Sequence, residues 1–87
     1  MHAIVIHANI TDLSEAKRGL AEEVLPMMKG APGFLGAYFI AVDDSHGVSI
    51  EIFETDEQAR AFAPPEGTEG PGVTVAGIQF GAVIGSA

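Results

Sequence analysis

The sequence predicts an α+β fold in which strands and helices follow the order βαββαβ. Three observations predict it: runs rich in β-branched residues recur along the chain, two amphipathic segments separate them, and no linker or internal repeat divides the 87 residues. Because domains commonly contain roughly 100 to 200 residues, residues 1–87 are expected to form a single domain.

The first strand and the first helix lie in the first third of the chain. Residues 2–8 alternate between two faces, which predicts a strand. Thr11, Asp12 and Ser14 offer caps for an amphipathic helix of about four turns. Pro26 lies in its last part, where proline should kink or tighten the helix. The apolar positions recur at spacings of three and four: Leu13, Ala16, Leu20, Val24, and Met27 or Met28.

A hairpin and a short second helix follow. Residues 34–42 and 48–54 are two apolar or alternating runs joined by a polar turn, which predicts two hairpin strands. Thr55 with Gln58 three residues later is the pattern of a capping box, so the second helix begins at Asp56.

The last third of the chain contains a loop and a final strand. Residues 64–72 are rich in proline and glycine, which predicts a loop, and residues 73–84 form a glycine-rich extended segment. Two βαβ halves then make a four-stranded antiparallel sheet in the order 4-1-3-2 with both helices on one face, the ferredoxin-like arrangement.

One face of this sheet is left without helices, and its composition predicts an interface. The residues expected to face the helices are Ile4, Ile6, Leu35, Ala37, Phe39, Ile50 and Ile52. The residues expected on the opposite face are Val5, His7, Phe34, Tyr38, Ile40, Glu51 and Phe53. An apolar surface of this extent normally marks an interface or ligand site. We therefore expect a homodimer in which two sheets pack across a two-fold axis and enclose a cavity.

The charge and composition exclude several classes of function. Twelve Asp and Glu against four Lys and Arg give a net charge of −8, which repels nucleic acids and anionic membranes. No cysteine is present, so disulfides and a Cys nucleophile are excluded. No stretch has the length of a membrane span, and we expect no signal peptide and a cytoplasmic location.

Two short motifs resemble a known family. Pro32-Gly33-Phe34-Leu35-Gly36 after the first helix, and Glu51-Ile52-Phe53-Glu54-Thr55-Asp56-Glu57-Gln58-Ala59 from strand into second helix, are similar to the dimeric α/β-barrel superfamily. The nearest branches are antibiotic-biosynthesis-monooxygenase-like proteins, and the resemblance spans roughly residues 1 to 63. Known members include cofactor-independent monooxygenases of quinols or polyketide aromatics, haem-degrading enzymes, isomerases and proteins of unknown function.

The resemblance separates two of these branches. In the haem-degrading branch, the strand-one Asn falls at His7 and the haem-ruffling Trp falls at Phe53, and residues 55–87 contain no histidine to bind iron. Haem degradation is therefore not expected. In the quinol-oxidising branch, the strand-three Glu, with Trp or Phe two residues later, matches Glu51 and Phe53.

The residues themselves offer a base and an apolar pocket. His7 and Glu51 are expected on one face of neighbouring strands, where an imidazole beside a carboxylate is a plausible base for a phenol or quinol. The same pair is also compatible with a structural hydrogen bond at the dimer interface. Residues expected to bind substrate are Val5, Phe34, Tyr38, Ile40 and Phe53. No cluster has the spacing of metal ligands, and no cofactor is expected.

Two functions remain open from the sequence. The first is a small-molecule-binding dimer, and its candidate activity is cofactor-independent monooxygenation of an aromatic or quinol substrate. The alternative is a non-catalytic dimeric module of unknown function whose barrel is filled by its own side chains. Under the first, the long loop 64–72 is a candidate lid over the barrel mouth.

Overall fold

A computed structural model describes the whole chain, residues 1–87. The elements are β1 (His2–Ile10), α1 (Leu13–Gly19), a π-helical turn (Leu20–Val24), α2 (Leu25–Lys29), β2 (Phe34–Ala41), β3 (His46–Phe53), α3 (Asp56–Phe62), β4 (Glu69–Gly70) and β5 (Val73–Ala82). Because α1, the π-helical turn and α2 follow one another without a break, they form one long helix over residues 13–29.

The five strands form one antiparallel sheet in the order β2-β3-β1-β5-β4. The α+β class is confirmed. The sheet has five strands instead of the predicted four, and its order differs from 4-1-3-2 by the short β4 added at the edge beside the last long strand. The added strand arises within the predicted loop, where Glu69 and Gly70 pair with Thr74 and Val73 at the edge of the sheet. None of the helices is long and apolar enough to cross a membrane.

The long helix has its N-cap where the sequence indicates and an irregular turn near Pro26. Asp12 caps it by accepting a hydrogen bond from the Glu15 amide. The Leu25 amide donates to the Leu20 carbonyl, five residues back. Proline has no amide hydrogen, and its ring collides with the carbonyl four residues earlier in a regular helix. The turn before Pro26 is therefore widened. The sequence predicts a kinked or tightened helix at this point instead.

The second helix and the core follow the predicted pattern more closely. The capping box of Thr55 and Gln58 is present at the start of α3. Phe53 is fully buried, and its ring lies 5.7 Å from that of Phe34 and 5.4 Å from that of Phe62, measured between ring centroids. This aromatic cluster joins the sheet to α3.

The side of β3 that the helices cover was predicted wrongly. Ile4 pairs with Glu51 across the antiparallel β1 and β3, and such partners point to the same face. Glu51 and Phe53 are both buried on the helix side, while Ile50 and Ile52 turn away from it. Hydrophobicity alone favours the reverse, because the Val-Ile-Ile stripe of β3 is more apolar than its Ser-Glu-Phe stripe.

Two predicted positions of β2 also differ. Phe34 packs on Phe53 and so belongs to the helix side. Leu35 lies at an irregularity in the pairing of β2 with β3 and is half exposed instead of facing the helices. The opposite side of the sheet, which we call the uncovered face, carries Val5, His7, Tyr38, Ile40, Val48, Ile50, Ile52 and Gln79.

Candidate functional site

A cavity of about 390 Å³ lies between the helix side of the sheet and the long helix. Its walls are apolar side chains from both layers: Ile6, Ala8 and Phe39 from the sheet, and Leu20, Val24 and Met28 from the long helix. The π-helical turn contributes to this wall and changes the helical phase after it, so that Met28 is buried and Met27 is 61 % exposed. An apolar cavity of this size suits a small organic molecule.

The loop between α3 and β5 closes one side of the cavity. Pro64, Thr68 and Pro71 border it. The end of the loop is fixed to the start of the long helix, because the Gly72 carbonyl accepts hydrogen bonds from the Thr11 amide at 2.8 Å and from the following amide at 3.2 Å. The loop thus has one anchored end, and its role as a lid stays a prediction.

Glu51 is the buried charged group of the cavity. It is 1 % exposed, and its Oε1 accepts a hydrogen bond of 2.9 Å from the Ser49 hydroxyl. Its Oε2 is closed to solvent and has no hydrogen-bond partner in the chain. Burial raises the pKa of Glu51 to about 7, and the hydrogen bonds from the Ser49 hydroxyl and from backbone act in the opposite direction.

The other polar groups of the cavity are few. Besides Ser49 and Glu51, the polar side chains that border it are Lys17 and Thr68, both exposed, which places them at its opening. The Thr68 hydroxyl donates to the Pro65 carbonyl and is occupied within the loop. Glu51 Oε2 is therefore the unpaired acceptor in the interior, and a ligand in the cavity reaches it only when the side chains that close it off move aside. Near neutral pH the carboxyl group can accept a hydrogen bond or a proton.

His7 does not share a face with Glu51, which corrects the predicted pair. The two strands are neighbours, but His7 lies three residues from Ile4, the partner of Glu51, and alternation along a strand turns it to the uncovered face. There its Nε2 lies 3.3 Å from Gln79 Oε1. The carboxyl group and the imidazole are thus on opposite sides of the sheet and cannot form a joint base.

The predicted substrate-binding residues divide between two places. Val5, Tyr38 and Ile40 lie on the uncovered face, and Tyr38 is 75 % exposed. Ile40, on the edge strand, also borders the cavity. Phe34 and Phe53 belong to the aromatic cluster instead of the uncovered face, and Phe53 also borders a second, smaller space of about 160 Å³ beside α3.

Sequence reasoning missed Ser49 and the wall formed by the long helix. The signal for Ser49 is its spacing, because residues two apart on a strand share a face, and so Ser49 lies beside Glu51 wherever Glu51 points. The wall formed by the long helix has a weaker signal in the sequence. An apolar stripe such as Leu20, Val24 and Met28 is as typical of a close-packed core as of a cavity wall, so it does not reveal the cavity.

No group of three or more His, Asp or Glu side chains lies close enough together to hold a metal ion. Comparison of the chain with protein-family models, with curated proteins and with solved structures found no match. The geometry around Glu51 therefore carries the functional argument.

Proposed function

We propose that this chain is a small-molecule-binding protein whose ligand occupies the cavity between the sheet and the long helix. The observation that carries the proposal is Glu51, a buried carboxyl group that borders an apolar cavity and has one oxygen without a partner. A buried polar atom without a partner costs on the order of 1 to 3 kcal/mol and is rare in native proteins, and a ligand that donates a hydrogen bond to it would remove this cost.

The walls and the carboxyl group together define the ligand class. An apolar cavity of roughly 150 Å³ accepts benzene, so about 390 Å³ accepts a fused aromatic of two rings. Glu51 Oε2 provides one strong acceptor. The ligand is thus an apolar aromatic molecule with a hydroxyl group, which is the chemistry of phenols and quinols.

The binding of 1-naphthol, followed by its fluorescence, tests this proposal. We expect saturable binding at one site per chain, and binding about five to ten times weaker in Glu51→Gln, because an amide oxygen is a weaker acceptor than a carboxylate. Glu54→Gln is the matched control, since Glu54 is exposed directly after the same strand. Naphthalene, which has no hydroxyl group, should not distinguish these variants. Equal 1-naphthol affinity in Glu51→Gln and wild type would contradict the role of Glu51.

We further propose that the chain forms a homodimer through the uncovered face, as two ferredoxin-like sheets packed into a dimeric α/β barrel. The support is the composition of that face, where Tyr38 and Ile40 are exposed and no Asp, Glu, Lys or Arg is present. A second copy of the face is uncharged in the same way and can bury it without desolvating a charge.

Cofactor-independent monooxygenation is a second candidate function for the same cavity. The observation that favours it is the pKa of Glu51, about 7, which suits a base at neutral pH. Glu51 would take the phenolic proton, and the electron-rich anion would react with dioxygen. The substrate loses a ring hydrogen and the hydroxyl hydrogen and gains one oxygen atom, and the second oxygen atom leaves as water.

Oxygen uptake during incubation with 1-naphthol tests the monooxygenase candidate. We expect one dioxygen consumed per 1,4-naphthoquinone formed, with a rate lower by about a hundredfold in Glu51→Gln, as is typical when a general base is removed. Binding without oxygen uptake would reject this candidate and leave the binding proposal in place. The non-catalytic dimeric module is then the remaining reading if neither binding nor turnover is found.

A further inference from the structure

Ser49 and Glu51 form a buried pair on one strand in which one of the two carboxylate oxygens has a partner and the other has none. Both side chains are turned to the cavity from β3, and they are 8 % and 1 % exposed. The serine hydroxyl donates to Oε1 at 2.9 Å, while Oε2 has no partner.

We propose that Ser49 is a positioning residue for the Glu51 carboxyl group and that, by occupying one lone pair of Oε1, it favours ligands that donate a single hydrogen bond, to Oε2, over ligands with two adjacent donors. The positioning role stands on the chain alone, whereas the ligand preference rests on the proposed function. A carboxylate oxygen has two lone pairs, so a ligand with two adjacent donors would have to share Oε1 with the Ser49 hydroxyl, whereas a ligand with one donor can bind Oε2 alone.

The hydroxyl group acts on the carboxyl group in two ways. A hydrogen bond to the charged form favours ionisation, so Ser49 opposes the effect of burial on Glu51. The same bond holds the plane of the carboxyl group, because residues two apart on a strand are fixed relative to one another. Without it, both oxygens are free, and the carboxyl group can rotate.

No other ionisable group faces Glu51 from the elements packed around it. The residues of β1, β2, α2 and α3 that border the cavity are apolar, and α1 contributes one ionisable side chain, the exposed Lys17 at the opening. The loop contributes the neutral Thr68. The effect of a substitution at Ser49 on the titration of Glu51 is therefore not mixed with that of a second titrating group inside the cavity.

The first experiment follows the Glu51 carboxyl carbon by NMR in the ligand-free protein as the pH is changed, with Glu51→Gln used to assign the signal. In Ser49→Ala we expect the titration midpoint to rise by about half to one pH unit, which is the effect of losing one hydrogen bond. Ser49→Thr keeps a hydroxyl group on the same face and should restore the wild-type midpoint. Identical midpoints in wild type and Ser49→Ala, with native amide spectra for both, would overturn the positioning role.

The second experiment compares 1-naphthol with 2,3-naphthalenediol, which carries two adjacent hydroxyl donors. We expect the ratio of diol affinity to naphthol affinity to rise at least about threefold in Ser49→Ala and to stay at the wild-type value in Ser49→Thr. An unchanged ratio would overturn the ligand preference. If neither compound binds the wild type, the proposed function fails, and the NMR midpoints still decide whether Ser49 positions Glu51.

Discussion

Glu51 is held in surroundings that disfavour its charge. It is buried against an apolar cavity, its one side-chain partner is the neutral Ser49, and burial raises its pKa to about 7. A group that served stability alone would be better replaced by an apolar residue, because an ionised carboxylate in an apolar interior is destabilising. The carboxyl group is thus retained at a cost to the fold, which is typical of functional sites.

The dependence of stability on pH should show this cost. The pKa of Glu51 is about 7 in the folded chain and 4.5 as the ordinary value, so between these pH values the folded state binds more protons than the unfolded state. The contribution of Glu51 to stability is therefore greatest at pH 4.5 and below, and falls by about 3 kcal/mol as the pH rises to 7 and above.

Urea unfolding at pH 5 and pH 8 measures this contribution in wild type and Glu51→Gln. Glu15 and Asp43 have lowered pKa values, from the Arg18 hydrogen bond and from the Ser45 backbone hydrogen bond respectively, and act in the opposite direction. Subtracting the mutant profile from the wild-type profile removes them, because both variants contain them. The difference should fall with rising pH. Parallel profiles would show that Glu51 titrates alike in the folded and unfolded chains.

Among the elements, the junction of the loop with the long helix determines how the cavity is closed. Gly72 has a φ of +68°, and a Cβ there would collide with the Asp12 carbonyl and the Ala16 amide. Gly19 in α1 is also restricted, since a Cβ there would lie 2.6 Å from the Pro71 ring. The loop backbone therefore lies directly against the helix backbone at Gly72, and the Pro71 ring lies against it at Gly19.

Two glycines of the loop provide a matched comparison of this contact. Gly67 has a φ of +83° with open space around its Cβ position, whereas Gly72 combines a positive φ with a collision. We expect Gly67→Ala to destabilise by about 1 kcal/mol through backbone strain alone, and Gly72→Ala by at least about 2 kcal/mol more. Urea unfolding measures both. Equal losses would mean that the loop can leave the helix at little cost.

The elements also show how far the sequence determines this fold. The capping box at Thr55 and the start of α3 at Asp56 depend on local hydrogen bonds, and they were predicted correctly. The covered side of β3 depends on long-range packing. Its two stripes, one with Ile50 and one with Glu51, are both buried or half-buried, and alternation alone does not say which one the helices cover.

The π-helical turn and the cavity could not be predicted from the sequence, because the residue pattern fits more than one geometry. Pro26 signals an irregular helix, but a kink, a tightened turn and a widened turn all remove the collision of its ring. The size of the cavity depends on how far the widened turn and the loop hold the helix from the sheet. No residue pattern encodes that distance.

For the whole molecule, the distribution of charge separates the uncovered face from the rest of the surface. The chain has a net charge of −8, yet the outward side chains of β1, β2, β3 and β5 include no Asp, Glu, Lys or Arg. The Val-Ile-Ile stripe of β3 also lies on the uncovered face, although it is more hydrophobic than the Ser-Glu-Phe stripe that the helices cover. Both facts are explained if a second copy covers the face, since the stripe is then buried and the charges of both copies remain in water.

Sedimentation analysis tests this dimer, with a lysine introduced in place of an exposed aromatic side chain on the edge strand of the face. Wild type should sediment at twice the 9.0 kDa chain mass, and Tyr38→Lys should be a monomer, because the dimer would bury two unpaired ammonium groups. Tyr38 is 75 % exposed in the single chain, so the substitution should leave the chain folded. Ser14→Lys, exposed on the long helix, adds the same charge away from the face and should remain a dimer. A monomeric wild type would require another cover for the apolar stripe of β3, whereas a dimeric Tyr38→Lys would place the interface elsewhere.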